Sequence, residues 1–172
     1  MVYCDFSNSL YKYLDIYHNG LKKLANKEMQ AIVGHLREMS DENQDEILTQ
    51  FLSDYCDSDV WDTLKDRGNA DIPYELKEYI LMWITPRCEE KKMPECRWYY
   101  ELFRNHKQGY QAAVKYLEIA YSSMKCDQKT IDLLFDSYLD ILGWGAHHFP
   151  DGMFLPWHSD ILNTHRQVPH YT

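Results

Sequence analysis

Glycine and proline are scarce in this sequence, with 7 Gly and 6 Pro among 172 residues, and no Gly/Ser-rich run interrupts the chain. A chain without such a linker is expected to form one domain. Its length is sufficient to bury a substantial core. The apolar fraction of 45% and the aromatic fraction of 15% exclude disorder as the main state.

Long apolar segments are also missing. The most apolar stretch, residues 79–84, is far shorter than the roughly 20 residues that a membrane-spanning helix needs. The first fifteen residues, MVYCDFSNSLYKYLD, lack the basic start and long apolar segment of a signal peptide. Five cysteines without a C-x-x-C pair favour reduced thiols. These features predict a soluble cytoplasmic protein that does not bind membranes.

Motifs of the common enzyme classes are not found. The sequence has no G-x-S-x-G, no phosphate-binding loop with its lysine and no H-E-x-x-H. Cys56 stands beside Asp57 in an acidic neighbourhood that is expected to raise the pKa of its thiol and make it unreactive. No basic face is available to neutralise phosphates, so direct binding of nucleic acid is not expected. The prediction is a protein without enzymatic activity or cofactor.

Negative charge, in contrast, is abundant and local. Residues 38–71 contain eleven acids against Lys65 and Arg67, and this excess equals the net charge of −9 of the whole protein. The acidity therefore belongs to one region. Within it, apolar residues with helical spacing predict a helix from Ser40 or Asp41 to about Cys56, buried on one face and acidic on the other.

The remaining pattern is helical throughout, and strand-like alternation of useful length is missing. We predict an all-α fold: a single domain, residues 1–172, in which a bundle of about eight helices covers about 1–147 and an irregular tail covers 148–172. An irregular stack of helix pairs is the alternative architecture. The spacing from Leu10 to Leu24 predicts one helix that tolerates Gly20, and Thr85-Pro86 predicts a helix end.

The last predicted helix begins after Asp127, a suitable capping residue. Its apolar residues are expected to face the core. Its three acids, spaced four residues apart, form a ladder of like charge that favours a cationic partner, either internal or on another protein. For the internal partner, Lys115, Arg97 and Arg104 are the candidates. The predicted inward residues are Ile131, Leu134, Phe135, Tyr138 and Leu142, and the ladder is Asp132, Asp136 and Asp140.

Histidines are concentrated at the carboxyl end, where five of the eight lie in the last 26 residues. A metal site there would need imidazoles and carboxylates brought together by the turn at Pro150-Asp151-Gly152, a ligand set that suits zinc or iron. This defines an alternative function, a metal-dependent enzyme built on His147, His148, Asp151 and His158. Structural or surface histidines are the favoured interpretation.

A small acidic all-helical domain without catalytic machinery resembles the immunity proteins of bacterial polymorphic-toxin and contact-dependent-inhibition systems. The resemblance rests on size, charge and class over the whole chain, and no motif carries it. It implies neutralisation of a basic toxin domain through an acidic surface, whereas a helical adaptor with an ordinary protein partner is a further alternative. The residues predicted to bind the partner are Asp41, Glu42, Asp45, Tyr55, Asp59, Trp61, Asp62 and Asp66.

Overall fold

The structure, a computed structural model, describes residues 2–58, 60–61, 72–105 and 109–148, with side chains as far as residue 143. Seven helices and no strand lie in these ranges, which confirms the all-α prediction. None of these helices is both long and apolar enough to cross a bilayer. The helices are α1 (Tyr3–His18), α2 (Lys22–Glu38), α3 (Asp41–Asp57), α4 (Tyr74–Glu89), α5 (Glu95–Phe103), α6 (Tyr110–Tyr121) and α7 (Gln128–His148).

Neighbours in sequence are mostly neighbours in space. Helix α1 packs on α2, α4 on α5, α5 on α6 and α6 on α7, while α2 also contacts α4, and α3 contacts α1 and α5. One buried apolar cluster contains side chains from all seven helices, among them Phe6, Phe51 and Trp98. The apolar stripe of α3 lies in this cluster as its spacing predicts, so the opposite side of α3 carries the acids.

The prediction of one helix from Leu10 to Leu24 was wrong, because the chain turns at Gly20. Gly20 has φ of +79°, its amide donates to the Tyr17 carbonyl, and the Leu21 amide donates to the Ile16 carbonyl. This pair of hydrogen bonds is the Schellman arrangement, which ends a helix with one residue in the left-handed region. Glycine adopts that region without strain, so here it ends a helix that its neighbours' spacing would continue.

Two alanine substitutions are expected to act in opposite directions. Gly20→Ala should lower the free energy of unfolding by about 1 kcal/mol, because φ of +79° strains any side chain. Gly34→Ala should raise it by about 0.5–1 kcal/mol, since Gly34 lies inside α2 and the added methyl group would have no atom within 4 Å apart from adjacent residues and the backbone of its own helix. Urea unfolding of both variants measures this, and a stabilising Gly20→Ala would contradict the turn.

The predicted helix end at Thr85-Pro86 was also wrong, because α4 continues through Pro86 to Glu89. Neighbouring side chains supply hydrogen-bond donors around the proline, which has no amide hydrogen of its own. Thr85 Oγ1 donates to the Leu81 carbonyl at 2.7 Å, and Arg87 Nη1 donates to the Trp83 carbonyl at 2.7 Å. Helix α4 then ends at a second Schellman turn, in which Lys91 takes the left-handed conformation with φ of 58°.

The prediction for the inward face of the last helix was only partly correct. Leu134 is buried as expected, but the side chains accompanying it in the core are Thr130, Ser137 and Ile141. The buried hydroxyls form hydrogen bonds with nearby residues of the chain: Ser137 Oγ donates to the Leu134 carbonyl at 2.8 Å, and Thr130 Oγ1 donates to Asp127 Oδ1 at 2.6 Å. Helix α7 is therefore rotated relative to the predicted orientation. The other residues predicted to face inward are exposed: Ile131, Phe135, Tyr138 and Leu142.

Candidate functional site

The carboxylate of Asp45, predicted to meet a partner, is half-exposed and already pairs with side chains of α4. Arg87 forms an ion pair with Asp45 Oδ1, and Trp83 Nε1 donates to the same oxygen at 2.8 Å. The guanidinium of Arg87 in turn lies 4.0 Å from the centre of the Trp83 ring. The hydrogen bond from Arg87 lowers the pKa of Asp45 despite its partial burial. Asp45 thus joins α3 to α4.

The carboxylate of Asp54 also has hydrogen-bond donors within the protein. Its carboxylate accepts a hydrogen bond from the Tyr3 hydroxyl at 2.5 Å and another from Gln50 Nε2 at 2.9 Å. Burial, together with the adjacent Asp54, raises the pKa of Tyr3 to about 12, so this hydroxyl remains a donor at neutral pH. Asp54 therefore ties the end of α3 to the start of α1.

Asp57, the last residue of α3, forms an ion pair with a buried arginine. Arg97 lies on α5 with only 3% of its side chain exposed, and its Nη1 is 2.7 Å from Asp57 Oδ1 and 2.5 Å from Glu101 Oε1. Trp98 Nε1 donates to the other Asp57 oxygen at 2.9 Å. Burial by itself would raise the pKa of Asp57, but the hydrogen bonds from Arg97 and Trp98 outweigh it and lower that pKa.

Lys129 extends this group of charges to α7. Its Nζ lies 2.7 Å from Glu101 Oε2 and 3.5 Å from Asp57 Oδ1, and it donates a hydrogen bond to the Cys56 carbonyl. Asp127 Oδ2 lies 3.4 Å from Arg97 Nε, which has no hydrogen-bond acceptor in good geometry among the described residues. We call Asp57, Arg97, Glu101, Asp127 and Lys129 the charge cluster. It joins α3, α5 and α7.

The charge cluster borders a surface depression of about 560 Å³, which Cys56, Ser58 and Gln128 also line. The depression offers no activated nucleophile, because burial raises the pKa of the Cys56 thiol well above its ordinary value. Each carboxylate of the cluster already lies at short range from Arg97, and Lys129 lies close to two of them. The geometry therefore indicates a structural junction rather than a catalytic site.

Acidification is expected to weaken the charge cluster. The pKa values of Asp57 and Asp127 are lowered by their hydrogen bonds, so their contribution to stability is complete above the unfolded-state value of about 3.9 and is lost as pH falls through the folded-state values. The free energy of unfolding should fall below about pH 4, and Asp57→Asn should reduce that fall. Urea midpoints between neutral and acidic pH measure it. Asp132→Asn, at an exposed position of α7, is the control and should keep the fall unchanged.

The amino-terminal half of α3 also carries exposed carboxylates that form no ion pair within the described part of the chain. Asp41, Glu42 and Glu46 are exposed and form no ion pair with any residue in the described part of the chain. Asp41 and Glu42 lie in the first turn of α3, where the helix dipole favours negative charge. Glu46 lies one turn beyond Glu42, so these two like charges repel each other. Sequence spacing alone did not single out Glu46.

The two aromatic residues predicted as partner anchors are packed in the fold. Trp61 is fully buried, its ring stacked on Tyr11 at 4.8 Å and in edge contact with Phe51 at 5.6 Å. Tyr55 is half-buried, and its ring lies 5.9 Å from that of Phe51. Trp61 in particular has no surface to offer a partner. The other predicted partner residues, Asp59, Asp62 and Asp66, lie outside the described residues.

Helix α7 displays the predicted acidic ladder on its exposed side. Asp132, Asp136 and Asp140 are exposed, and none pairs with a described lysine or arginine. Of the cations considered as internal partners, Arg97 belongs to the charge cluster instead, and the guanidinium of Arg104 lies 5.5 Å from the centre of the Tyr100 ring. The sequence did not reveal the roles of Arg87 and Lys129, because their carboxylate partners Asp45, Asp57 and Glu101 lie on other helices.

The alternative metal site stays a prediction. His147 and His148 are the last residues of α7, but their side chains, like Asp151 and His158 altogether, lie outside the described part of the structure. Within the described part, no three His, Cys, Asp or Glu side chains are grouped to bind a metal ion.

Comparison with known proteins adds no family assignment. No protein-family model, characterised protein or solved structure matches the chain.

Proposed function

We propose that this chain is a non-catalytic protein-binding module that captures a cationic protein partner on the exposed acids of α3. One observation carries the proposal. Asp45 and Asp57 pair with arginines of other helices, and Asp54 accepts hydrogen bonds from Tyr3 and Gln50. The acids of the first half of α3 that are exposed without an ion pair in the described residues are Asp41, Glu42 and Glu46. Contacts within the protein account for the acids of the first group. The second group is available to a partner.

The physical effect of such a group is mainly kinetic. A chain with net charge −9 attracts a basic partner over a distance comparable to the Debye length, and a local acidic patch orients that approach. A cation at Glu42 and Glu46 would also relieve their mutual repulsion. These properties suit a protein that must find and cover a basic surface quickly.

The specific form that we propose is an immunity protein, which acts in the bacterial cytoplasm and neutralises a cognate toxin domain. Its support is the acidic, all-helical character of the chain together with the exposed carboxylates of α3. The toxin domain would be basic, and the bound protein would cover its active site.

Growth protection tests this function. The proposal predicts that the gene immediately upstream encodes a large secreted protein with a basic carboxy-terminal domain. That domain should stop growth when expressed alone, and co-expression of this chain should restore growth. Asp41→Asn with Glu42→Gln and Glu46→Gln should reduce protection, because steering and orientation are lost. Circular dichroism of the triple variant establishes that its fold is retained.

A matched triple variant separates a local effect from a general loss of charge. Asp15→Asn with Glu89→Gln and Glu90→Gln removes three exposed acids from α1 and the end of α4. It should protect cells as well as the unmodified chain does. Equal loss of protection in both triple variants would exclude α3 as the binding surface, and failure of the unmodified chain to protect would exclude the immunity function.

A further inference from the structure

Helix α7 has a second apolar stripe beside the one that faces the core. At about 100° per residue, the buried positions 130, 134, 137 and 141 occupy one side of the helix. The neighbouring stripe is exposed to solvent, with 62% of Phe135 and 67% of Leu142 accessible. Exposed single hydrophobic residues are ordinary, but a continuous row along one helix face is not. The stripe consists of Ile131, Phe135, Leu139 and Leu142.

The acidic ladder runs along one edge of this stripe. Positions 132, 136 and 140 follow it on the side directed away from the core, at the same spacing of one turn. Asp132 accepts a hydrogen bond from Gln128 Nε2 at 2.8 Å, and the three carboxylates have no cation among the described residues. An apolar row with a row of unneutralised acids beside it is complementary to an amphipathic helix with basic residues along one edge.

Burial of Trp61 makes this stripe more important. A stable interface needs apolar anchors that lose contact with water, and carboxylates alone do not provide them. Trp61, the predicted anchor near the acids of α3, lies in the core. Phe135 is the largest exposed apolar side chain of the stripe and can take this role.

We infer that the exposed face of α7 binds an amphipathic helix of a protein partner, whose apolar ridge covers Phe135, Leu139 and Leu142 and whose Lys/Arg row faces Asp132, Asp136 and Asp140. The inference rests on the proposed function, because the partner is the same cationic protein, and it locates the apolar part of the interface. A second copy of this chain is disfavoured as the occupant, since each copy carries a net charge of −9.

A labelled synthetic peptide tests the surface without knowledge of the partner. The peptide is an amphipathic helix of about 20 residues with leucines on one face and lysines along one edge. One control peptide has glutamate in place of every lysine, and another has the same composition in scrambled order. Fluorescence anisotropy with the full chain should show binding of the first peptide only, weakened as salt rises.

Substitutions on α7 then identify where the peptide binds. Phe135→Ser with Leu139→Ser should weaken its binding at least about tenfold, as truncation of a central anchor does. Replacing Asp132, Asp136 and Asp140 by Asn should reduce the salt dependence. The matched control is Tyr74→Ser with Met82→Ser on α4, where both side chains are comparably exposed, and it should leave binding unchanged.

Several results would overturn the inference. These are no binding of the lysine peptide, equal binding of the glutamate peptide, equal weakening by the α4 control, or sedimentation showing that the chain self-associates through Phe135. Growth protection separates the two proposals: protection that survives Phe135→Ser with Leu139→Ser leaves the function intact and excludes α7, whereas peptide binding without protection retains the surface and excludes immunity.

Discussion

Replacing Arg97 by alanine is expected to lower the free energy of unfolding by about 3–5 kcal/mol. The guanidinium is buried against Asp57 and Glu101, with Asp127 3.4 Å from its Nε. Its removal leaves these carboxylates without their main counter-ion in a site with restricted access to water. Urea unfolding followed by circular dichroism at neutral pH measures the change.

A combined variant shows whether the loss comes from the unpaired charges. Arg97→Met with Asp57→Asn and Glu101→Gln removes the cation and its two closest anions together, so most of the loss should be recovered. Lys115→Ala, which removes a lysine outside the charge cluster, should change stability by less than about 0.5 kcal/mol. An Arg97→Ala protein within about 1 kcal/mol of the unmodified chain would contradict the structural role of the cluster.

Trp61→Ala is expected to cost about 3–5 kcal/mol as well, because the indole fills core space against Phe51 and Tyr11. Tyr74→Ala is the control: its side chain is 70% exposed, so the expected change is within about 0.5 kcal/mol. Thermal or urea unfolding compares the two. If Trp61→Ala were neutral for stability and yet weakened partner binding, Trp61 would be the surface anchor that the sequence suggested.

The fold class could be predicted because helical periodicity is a local property. The apolar stripe of α3 and the capping role of Asp127 follow from residues a few positions apart, and both are present in the structure, where Asp127 Oδ1 accepts from the Thr130 amide at 2.8 Å. The effects of Gly20 and Pro86 on their helices were harder to predict from the sequence. A glycine can continue or end a helix, and a helix can continue through a proline, as α4 does through Pro86.

The distinction between structural and exposed acids could not be predicted, because it depends on distant partners. Asp45 and Glu46 are adjacent in sequence and equally polar. Asp45 meets Arg87 on another helix, and Glu46 remains exposed. No periodicity within α3 records that difference. Only the approach of Arg87 and Trp83, on α4, to Asp45 creates it.

Helix α7 illustrates a different difficulty. Two rows of residues lie side by side on it: the row predicted to face inward, with larger residues at 131, 135, 138 and 142, and another row with Thr130 and Ser137 among its members. Size and hydrophobicity favour the first as the core face, yet the second is buried. The signal for the second is the spacing of Leu134 and Ile141, seven residues apart, each with a small residue, Thr130 or Ser137, one turn before it on the same face.

The rate of association with the basic partner domain, measured across salt concentrations, shows whether the exposed acids of α3 attract that domain. We expect fast association at low ionic strength and a steep fall as salt rises, with a shallower dependence for the triple variant at Asp41, Glu42 and Glu46 than for the matched variant at Asp15, Glu89 and Glu90. Identical rates for the two variants at every salt concentration would contradict it, and the exposed acids of α3 would then be an ordinary solvated surface.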